Sequence, residues 1–378
     1  MGTIIRITSL FIGLLLCCPS GLFAYNSTES IVNQEVKINP RLQPQLLQQA
    51  LERYHEIKRN GGWIKISPTK KHYIKGQSDA AITQLKQRLR ASGDFTLDDT
   101  TPIFTDELVT AVKKVQKRFG FPENGVADVH LIKQLNITVE ERIRQLEVNL
   151  ERLNNTPALN HSIQLVANIP EFKLHVYEDG QHVFDMNIVV GSESNKTVIF
   201  NDEMTHIVFS PYWNVPPGIV KNEILPAMRK NRNYLTRNGY EKIGEENGLP
   251  VLRQKPGPNN SLGLVKFVFP NNHAIYFHDT PAKGLFELRK RAFSHGCIRL
   301  AEPAKLAQYL LRNQPEWTAE KVKAAMHGGK EKPVTLKEAV GVALTYYTAW
   351  VDEEGLVHFR EDVYGLDRKE AAKIAKNK

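Results

Sequence analysis

The spacing of apolar and polar positions changes period once, near Asn160. Before that point apolar residues recur at helical spacing. Leu46, Leu47, Ala50, Leu51, Tyr54 and Ile57 predict a helix over 42–57, stopped by Asn60-Gly61-Gly62 and followed by an extended piece at Trp63–Ile66. Ile82, Leu85 and Leu89 make one stripe, Leu108, Val112, Val115 and Phe119 a second, and Leu131 and Leu135 a third. The second opens with Thr105 as N-cap and Asp106 and Glu107 in its first turn. Three amphipathic helices so close in sequence need one another for a core, which predicts a helical module over 78–136. Thr138 and Glu141 form a capping box at the head of a helix whose face is Val139, Ile143, Leu146, Leu150 and Leu153.

Beyond Asn160 the runs Ile163–Ile169, Phe172–Tyr177, Val183–Val190, His206–Phe209, Leu264–Phe269 and Ala274–His278 are β-rich and bounded by Pro, Gly and Asn, with a hairpin signal at Asp179-Gly180. These short strands predict a sandwich or barrel-like β domain. Residues 218–262 interrupt it with a helical stretch (Lys221–Lys230) and a polar, Gly/Pro/Asn-rich segment. An excursion of that length between strands reads as a lid or substrate-facing insertion. Helix returns at Glu302–Arg312 and Ala319–Met326, ahead of a Lys-rich tail. The expected organisation is α+β: an N-terminal helical segment over 25–77, the module over 78–136, a connector helix over 137–160, a mainly-β domain over 161–315 containing the insertion, and a C-terminal helical extension over 316–378.

Composition narrows the class. A chain of 378 residues with 41% hydrophobic and 24% charged residues is ordinary globular protein of two or three domains, which excludes wholesale disorder, collagen and a multi-span membrane protein. The net charge of +9 suits a polyanionic partner: nucleic acid, anionic lipid or an acidic wall polymer. The first residues narrow the choice. Arg6, the apolar run Ile7–Cys18, the break at Pro19-Ser20-Gly21 and the small Ala24 read as a secretory signal peptide over 1–24, with an uncleaved anchor as the alternative. Bulky Leu16 before Cys17 argues against a lipoprotein signal. An exported chain with no membrane span after signal cleavage and no nucleic-acid partner is expected.

Of the three cysteines, Cys17 and Cys18 leave with the signal, and Cys297 remains alone. A single thiol in a compartment that favours disulfides is a buried small hydrophobe or a reactive nucleophile. It stands in Ser294-His295-Gly296-Cys297-Ile298-Arg299-Leu300. A thiol needs a base to become a thiolate near neutral pH, and His278 and His295 are both offered. Gly296 lets the backbone bend so that the amides of 296–297 face a developing oxyanion. Arg299 binds a carboxylate or ties the loop down. Along the strand ending at 278, Tyr276 and His278 share one face and Ile275 and Phe277 the other. His161, His175, His182 and His206 read as strand or surface residues, and no His/Cys/Asp cluster has metal-ligand spacing, so neither metal nor cofactor is expected.

The arrangement of His278 and Ser-His-Gly-Cys-Ile-Arg, with 297 − 278 = 19 positions from His to Cys, resembles the L,D-transpeptidase (YkuD-type) catalytic domain. Residues 42–135 resemble the helix, Gly-Gly-Trp segment and peptidoglycan-binding-like module of the family's large periplasmic members, and 211–216, 256–260 and 346–351 look like further segments of them. The chain departs from the peptidoglycan-binding pattern at Val115-Gln116, where Phe-Gln is common.

The resemblance implies a YkuD-like sandwich and an acyltransferase working in the periplasm or cell wall on peptidoglycan stem peptides and glycan strands. Cys297 would attack the amide between the third and fourth residues of a stem tetrapeptide. His278 would take the thiol proton and pass it to the leaving D-Ala, and the acyl group would go to the side-chain amine of another stem's diamino acid as a 3→3 cross-link. Ser294, His295 and Gly296 would shape the site and its oxyanion donors. Arg299, Tyr276, Trp213 and Asn214 would touch substrate beneath the 218–262 lid. Three alternatives stay open: the same chemistry attaching a lipoprotein or outer-membrane protein to the wall, a peptidoglycan-binding protein without activity, and a papain-like peptidase, which usually places its Cys before its His.

Overall fold

The structure, a computed structural model, describes residues 42–156, 160–352 and 354–377. The segment read as a signal peptide, with Cys17 and Cys18, lies outside the described residues, as do the 25–40 lead-in and part of the connector's end.

The first half folds as its apolar stripes predict. Helix α1 (Gln43–Arg59) stops at Asn60, where Gly61 and Gly62 take positive φ. Strand β1 (His72–Tyr73) precedes α2 (Ala80–Ala91), capped by Asp79, and α3 (Asp106–Phe119), capped by Thr105. Strand β2 (Ala127–Asp128) pairs antiparallel with β1 and leads into α4 (Val129–Leu135), capped by Asp128. Helix α5 (Val139–Asn155) starts on the Thr138–Glu141 capping box. These helices bury Leu47, Leu51, Ile82, Leu89, Leu108, Val115, Leu131 and Leu146 in one core. Gln116, at the departure from the family pattern, is buried and structural. Its amide donates to Asn124 Oδ1 at 2.7 Å and Val126 O at 2.9 Å and accepts from Gly125 N at 2.8 Å, clamping the 124–126 turn.

The β domain begins with β3 (Ile163–Asn168), β4 (Lys173–Glu178), β5 (Gln181–Gly191) and β6 (Phe200–Phe209). The insertion then runs through β7 (Trp213–Asn214), α6 (Pro217–Ile219), a π-turn at 220–224, α7 (Leu225–Lys230), α8 (Tyr234–Arg237), β8 (Tyr240–Glu246) and β9 (Leu249–Gln254). Its second half is thus a β-hairpin rather than irregular chain. Strands β7, β9 and β8 form a sheet of their own over a small core of Val215, Val220, Ile224 and Leu252. The insertion is therefore a subdomain that starts five residues before the expected boundary, at 213 rather than 218.

The chain returns through β10 (Val265–Val268), β11 (Phe277–His278), β12 (Ala292–Ser294), β13 (Ile298–Leu300), α9 (Pro303–Leu311) and α10 (Ala319–Met326). The expected C-terminal helical extension is corrected here. After α10 comes β14 (Lys332–Thr345), which lies between β6 and β3 inside the main sheet, then β15 (Ala349–Val351), β16 (Val357–Phe359) and α11 (Leu366–Asn377). The sheet order is β12-β5-β13-β11-β10-β6-β14-β3-β4, and β4 also pairs with β5. Residues 181–187 of β5 bond to β4 and its last residues to β13 and β12, so one long strand joins the two ends of the sheet around the core. The β15–β16 hairpin enters the helical core instead, burying Ala349, Val351, Val357 and Phe359 against α1, α3 and α5. Arg118 Nε donates to Val357 O at 2.9 Å and Gln43 Nε2 to Val351 O at 2.7 Å. The domain boundary is thus discontinuous in sequence.

Candidate active site

Strands β11 and β13 run parallel with Phe277 opposite Ile298 and His278 opposite Arg299. Phe277 and Ile298 are wholly buried in the core. By alternation Tyr276, His278, Cys297 and Arg299 share the other face. Cys297 is partly buried and carries a free thiol. Its sulfur donates to the carbonyl of Ala274 at 3.5 Å, and the Tyr276 backbone N–H and phenol both hydrogen-bond to it. Burial pushes the thiol up, and the Tyr276 bonds and the Arg299 charge pull the other way. Ala274 holds a positive φ of 53°, unusual without glycine, and its neighbours are pinned by Asn271, which accepts from Ile275 N and donates to Ile275 O.

His278 is buried, with Nδ1 against the backbone carbonyl of Asp279. A carbonyl only accepts, so Nδ1 carries the proton and Nε2 is the basic nitrogen of the neutral ring. Burial first, and Arg299 second, depress its pKa from 6.5 to about 4; the carbonyls of Asp279 and Leu262 and the Asp279 carboxylate act in the opposite direction. Asp279 is itself fixed, accepting from Leu264 N at 2.9 Å and Lys283 Nζ at 2.6 Å. The Tyr276 and His278 rings stand 5.7 Å apart, edge to face.

The loop before Cys297 is braced by its own residues. Ser294 Oγ donates to Cys297 O and accepts from Gly296 N at 3.1 Å. The Gly296 amide is therefore committed to Ser294, and of the two amides expected at an oxyanion it is the one already used. Gly296 takes φ +118°, a region that side chains disfavour. His295 is exposed and pairs with Glu223 of the insertion, Nε2 to Oε1 2.8 Å, not with the thiol. Arg299 has a buried Nε without a partner, and burial lowers its pKa while the nearby Cys297 opposes that. Trp213 packs on the insertion's core and its indole donates to the Tyr276 phenol, so it joins insertion to site. Asn214 is exposed and pairs through β7 with Arg253.

Residues 162–330 match the family model described as the L,D-transpeptidase catalytic domain, and 78–135 match one described as "Putative peptidoglycan binding domain". Over the first of these spans the chain is similar to L,D-transpeptidase catalytic domains. A curated relative from Haemophilus influenzae, named "Putative L,D-transpeptidase", is 30% identical over 252 residues, covering 63% of this chain and 50% of that one. The chain thus spans about half the length of the curated relative it matches. Similar solved structures include an L,D-transpeptidase from Stackebrandtia nassauensis (13% identity, TM-score 0.30, 74% of this chain and 97% of that chain) and one from Mycobacterium smegmatis (13%, 0.27, 49% and 59%).

The tertiary structure adds braces to this domain that the sequence pattern does not reveal. Thr197 is buried between β5 and the Cys297 loop, accepting from Gly191 N at 2.9 Å and donating to Gly296 O at 2.8 Å. The Tyr364 hydroxyl donates to Gly191 O at 2.6 Å and accepts from Thr197 N at 3.2 Å. Tyr346, stacked on Tyr364, accepts the Tyr364 N–H at 2.7 Å and donates to Asp362. The Tyr346–Val351 resemblance carries no hint of the targets of Tyr364, which lie 173 and 167 positions upstream at Gly191 and Thr197. The reading of metal-ligand spacing is also corrected: His175, His182 and Asp185 converge on the β4–β5 hairpin, each offering a ligand atom within 4.8 Å of the others.

Proposed function

We propose that this protein is a peptidoglycan L,D-transpeptidase of the periplasm or cell wall that forms a thioester on Cys297 with a stem tetrapeptide and transfers it to a diamino-acid amine as a 3→3 cross-link. The observation that carries this reading is one strand face presenting a free thiol, a neutral buried imidazole and a cation with an unpartnered Nε, at Cys297, His278 and Arg299. Among the described residues no helix is long and apolar enough to cross a membrane.

Cys297 and His278 are both uncharged at neutral pH, since burial raises the thiol and lowers the imidazole. Substrate entry displaces the thiol from the Ala274 carbonyl toward His278. His278 Nε2 takes the thiol proton as sulfur attacks the carbonyl of the third stem residue. The Cys297 amide receives the oxyanion, since Gly296 N–H is held by Ser294. Collapse expels the D-Ala amine, which takes the proton from His278. The acceptor amine then attacks the thioester, gives its proton to His278, and the sulfur leaves and is reprotonated. Arg299 holds the carboxylate of a stem residue and stabilises the thiolate as it forms.

Incubation with a carbapenem followed by intact-mass measurement tests the nucleophile: one adduct, located on Cys297, and none in Cys297→Ala. Digestion products of tetrapeptide-rich sacculi test the acceptor. Dimers linked between two third-position residues are expected, and acylation without such dimers would favour attachment of a protein to the wall.

A further inference from the structure

The hairpin of β4 and β5 turns Leu174, Val176, Phe184 and Met186 into the core. Its other face carries a group of side chains that the proposed reaction does not use. His175 stands directly opposite Asp185, and His182 opposite Tyr177, with an irregularity between that brings His182 and Asp185 to the same side. His175 is only 4% exposed. Its Nε2 lies 3.0 Å from Glu171 Oε2, and Glu171 is itself steadied by Arg360 at 3.6 Å. Its Nδ1 is buried without a hydrogen-bond partner and faces Asp185 Oδ2 at 3.9 Å, beyond hydrogen-bond reach.

A buried polar nitrogen with no partner calls for an explanation. An imidazole fixed by a carboxylate at one nitrogen, with the other aimed at a second imidazole and a second carboxylate, has the arrangement of a metal-ligating histidine with its outer support. We propose that His175, His182 and Asp185 bind a divalent transition-metal ion, zinc foremost, with Glu171 as the positioning residue of His175.

Two imidazoles and one carboxylate suit zinc, cobalt or nickel rather than magnesium or calcium, and leave a fourth position for water. The ligand atoms lie within 4.8 Å of one another. Zinc draws such atoms in to roughly 3.4 Å, the edge of a tetrahedron with bonds of about 2.1 Å. His182 can supply that movement, because it sits partly exposed beside the hairpin turn. Lys173 Nζ meets Asp185 Oδ2 at 2.7 Å and is 34% exposed, so the ion takes the place of an ammonium that withdraws to solvent. The ion would clip β4 to β5 at the hairpin end, and β5 runs on to Gly191 and the brace of the nucleophile loop.

The test uses the full chain carrying Cys17→Ser, Cys18→Ser and Cys297→Ser, which removes the competing thiols, stripped by chelator and then titrated with zinc by calorimetry and with cobalt by visible absorption. One equivalent of zinc at micromolar affinity or tighter is expected, with the intense cobalt bands of a four- or five-coordinate site. His182→Ala and Asp185→Asn should each weaken binding at least ~10-fold, and Glu171→Gln by about 10–100-fold with a changed cobalt spectrum. Lys173→Met should tighten it. Circular dichroism of each metal-free variant controls for folding, and partly exposed His182 gives a variant whose loss is not a folding defect. Absence of saturable binding, or binding undiminished in both His182→Ala and Asp185→Asn, would overturn the site.

Discussion

His295 Nε2 lies 2.8 Å from Glu223 Oε1, so the histidine nearest Cys297 in sequence is engaged by the insertion while His278, nineteen positions away, shares the strand face of Cys297. That difference supports His278 as the proposed base. His278→Ala should slow carbapenem acylation by ~10²–10⁴-fold. His295→Ala should leave it within a few-fold, because an exposed ion pair contributes little. Stopped-flow acylation rates for the two variants compare them, and the reverse order would move the base to His295.

His278 also sets a pH dependence of stability. Its pKa falls from 6.5 to about 4 on folding, so below 6.5 the unfolded chain binds a proton that the folded chain refuses. Above 6.5 the group contributes nothing. Stability is lost as pH drops from 6.5 and the loss is complete near 4, at about 3 kcal/mol. Urea unfolding of the native chain and of His278→Gln through this window measures it. The native curve should fall faster, and parallel curves would show that His278 is not buried and neutral.

Gly263 places the Leu264 amide on Asp279 and has a φ of +63°. A Cβ there would fall 2.4 Å from the Asp279 carboxylate. Gly263→Ala should cost more than the ~1–2 kcal/mol of a left-handed residue alone and should slow acylation by displacing Asp279 and the His278 that rests on its carbonyl. Gly284, with nothing within 4 Å of its Cβ position and no positive φ, is the control, and Gly284→Ala should be neutral.

Tyr364→Phe removes the hydroxyl that serves Gly191 O and Thr197 N. Two buried backbone groups then lose their partner, at a cost of about 1–3 kcal/mol in thermal or urea unfolding. Thr197 in turn holds Gly296 O, so acylation should slow as well. A destabilised protein with an unchanged acylation rate would separate the brace from the site.

Among the described residues the insertion meets the site through Trp213 to Tyr276 and Glu223 to His295. Replacing residues 217–250 with a Gly/Ser bridge keeps Trp213 and should reduce cross-linking of stem tetrapeptides far more than acylation by a small carbapenem, as a lid over a large donor would. Equal losses in both assays, in a chain that still folds, would make the subdomain part of the catalytic scaffold.

The sequence by itself determined what depends on neighbours along the chain. Helix stripes, the Thr105 and Thr138 caps, the hairpin at Asp179-Gly180 and Cys297 in its loop are local signals, written in spacings of two to four residues. The strand face shared by Tyr276 and His278 follows from the same alternation. Only the tertiary structure decided what depends on remote partners. Strand β14 lies between β6 and β3, a pairing that no local period encodes, and the charged tail after Met326 conceals it. Strands β15 and β16 fill the helical core because their apolar residues complete a surface made far upstream. Tyr364 reaches Gly191, Glu223 takes His295, and His175 meets Asp185 across a ladder. Each of these contacts joins groups whose separation in sequence carries no information about their separation in space.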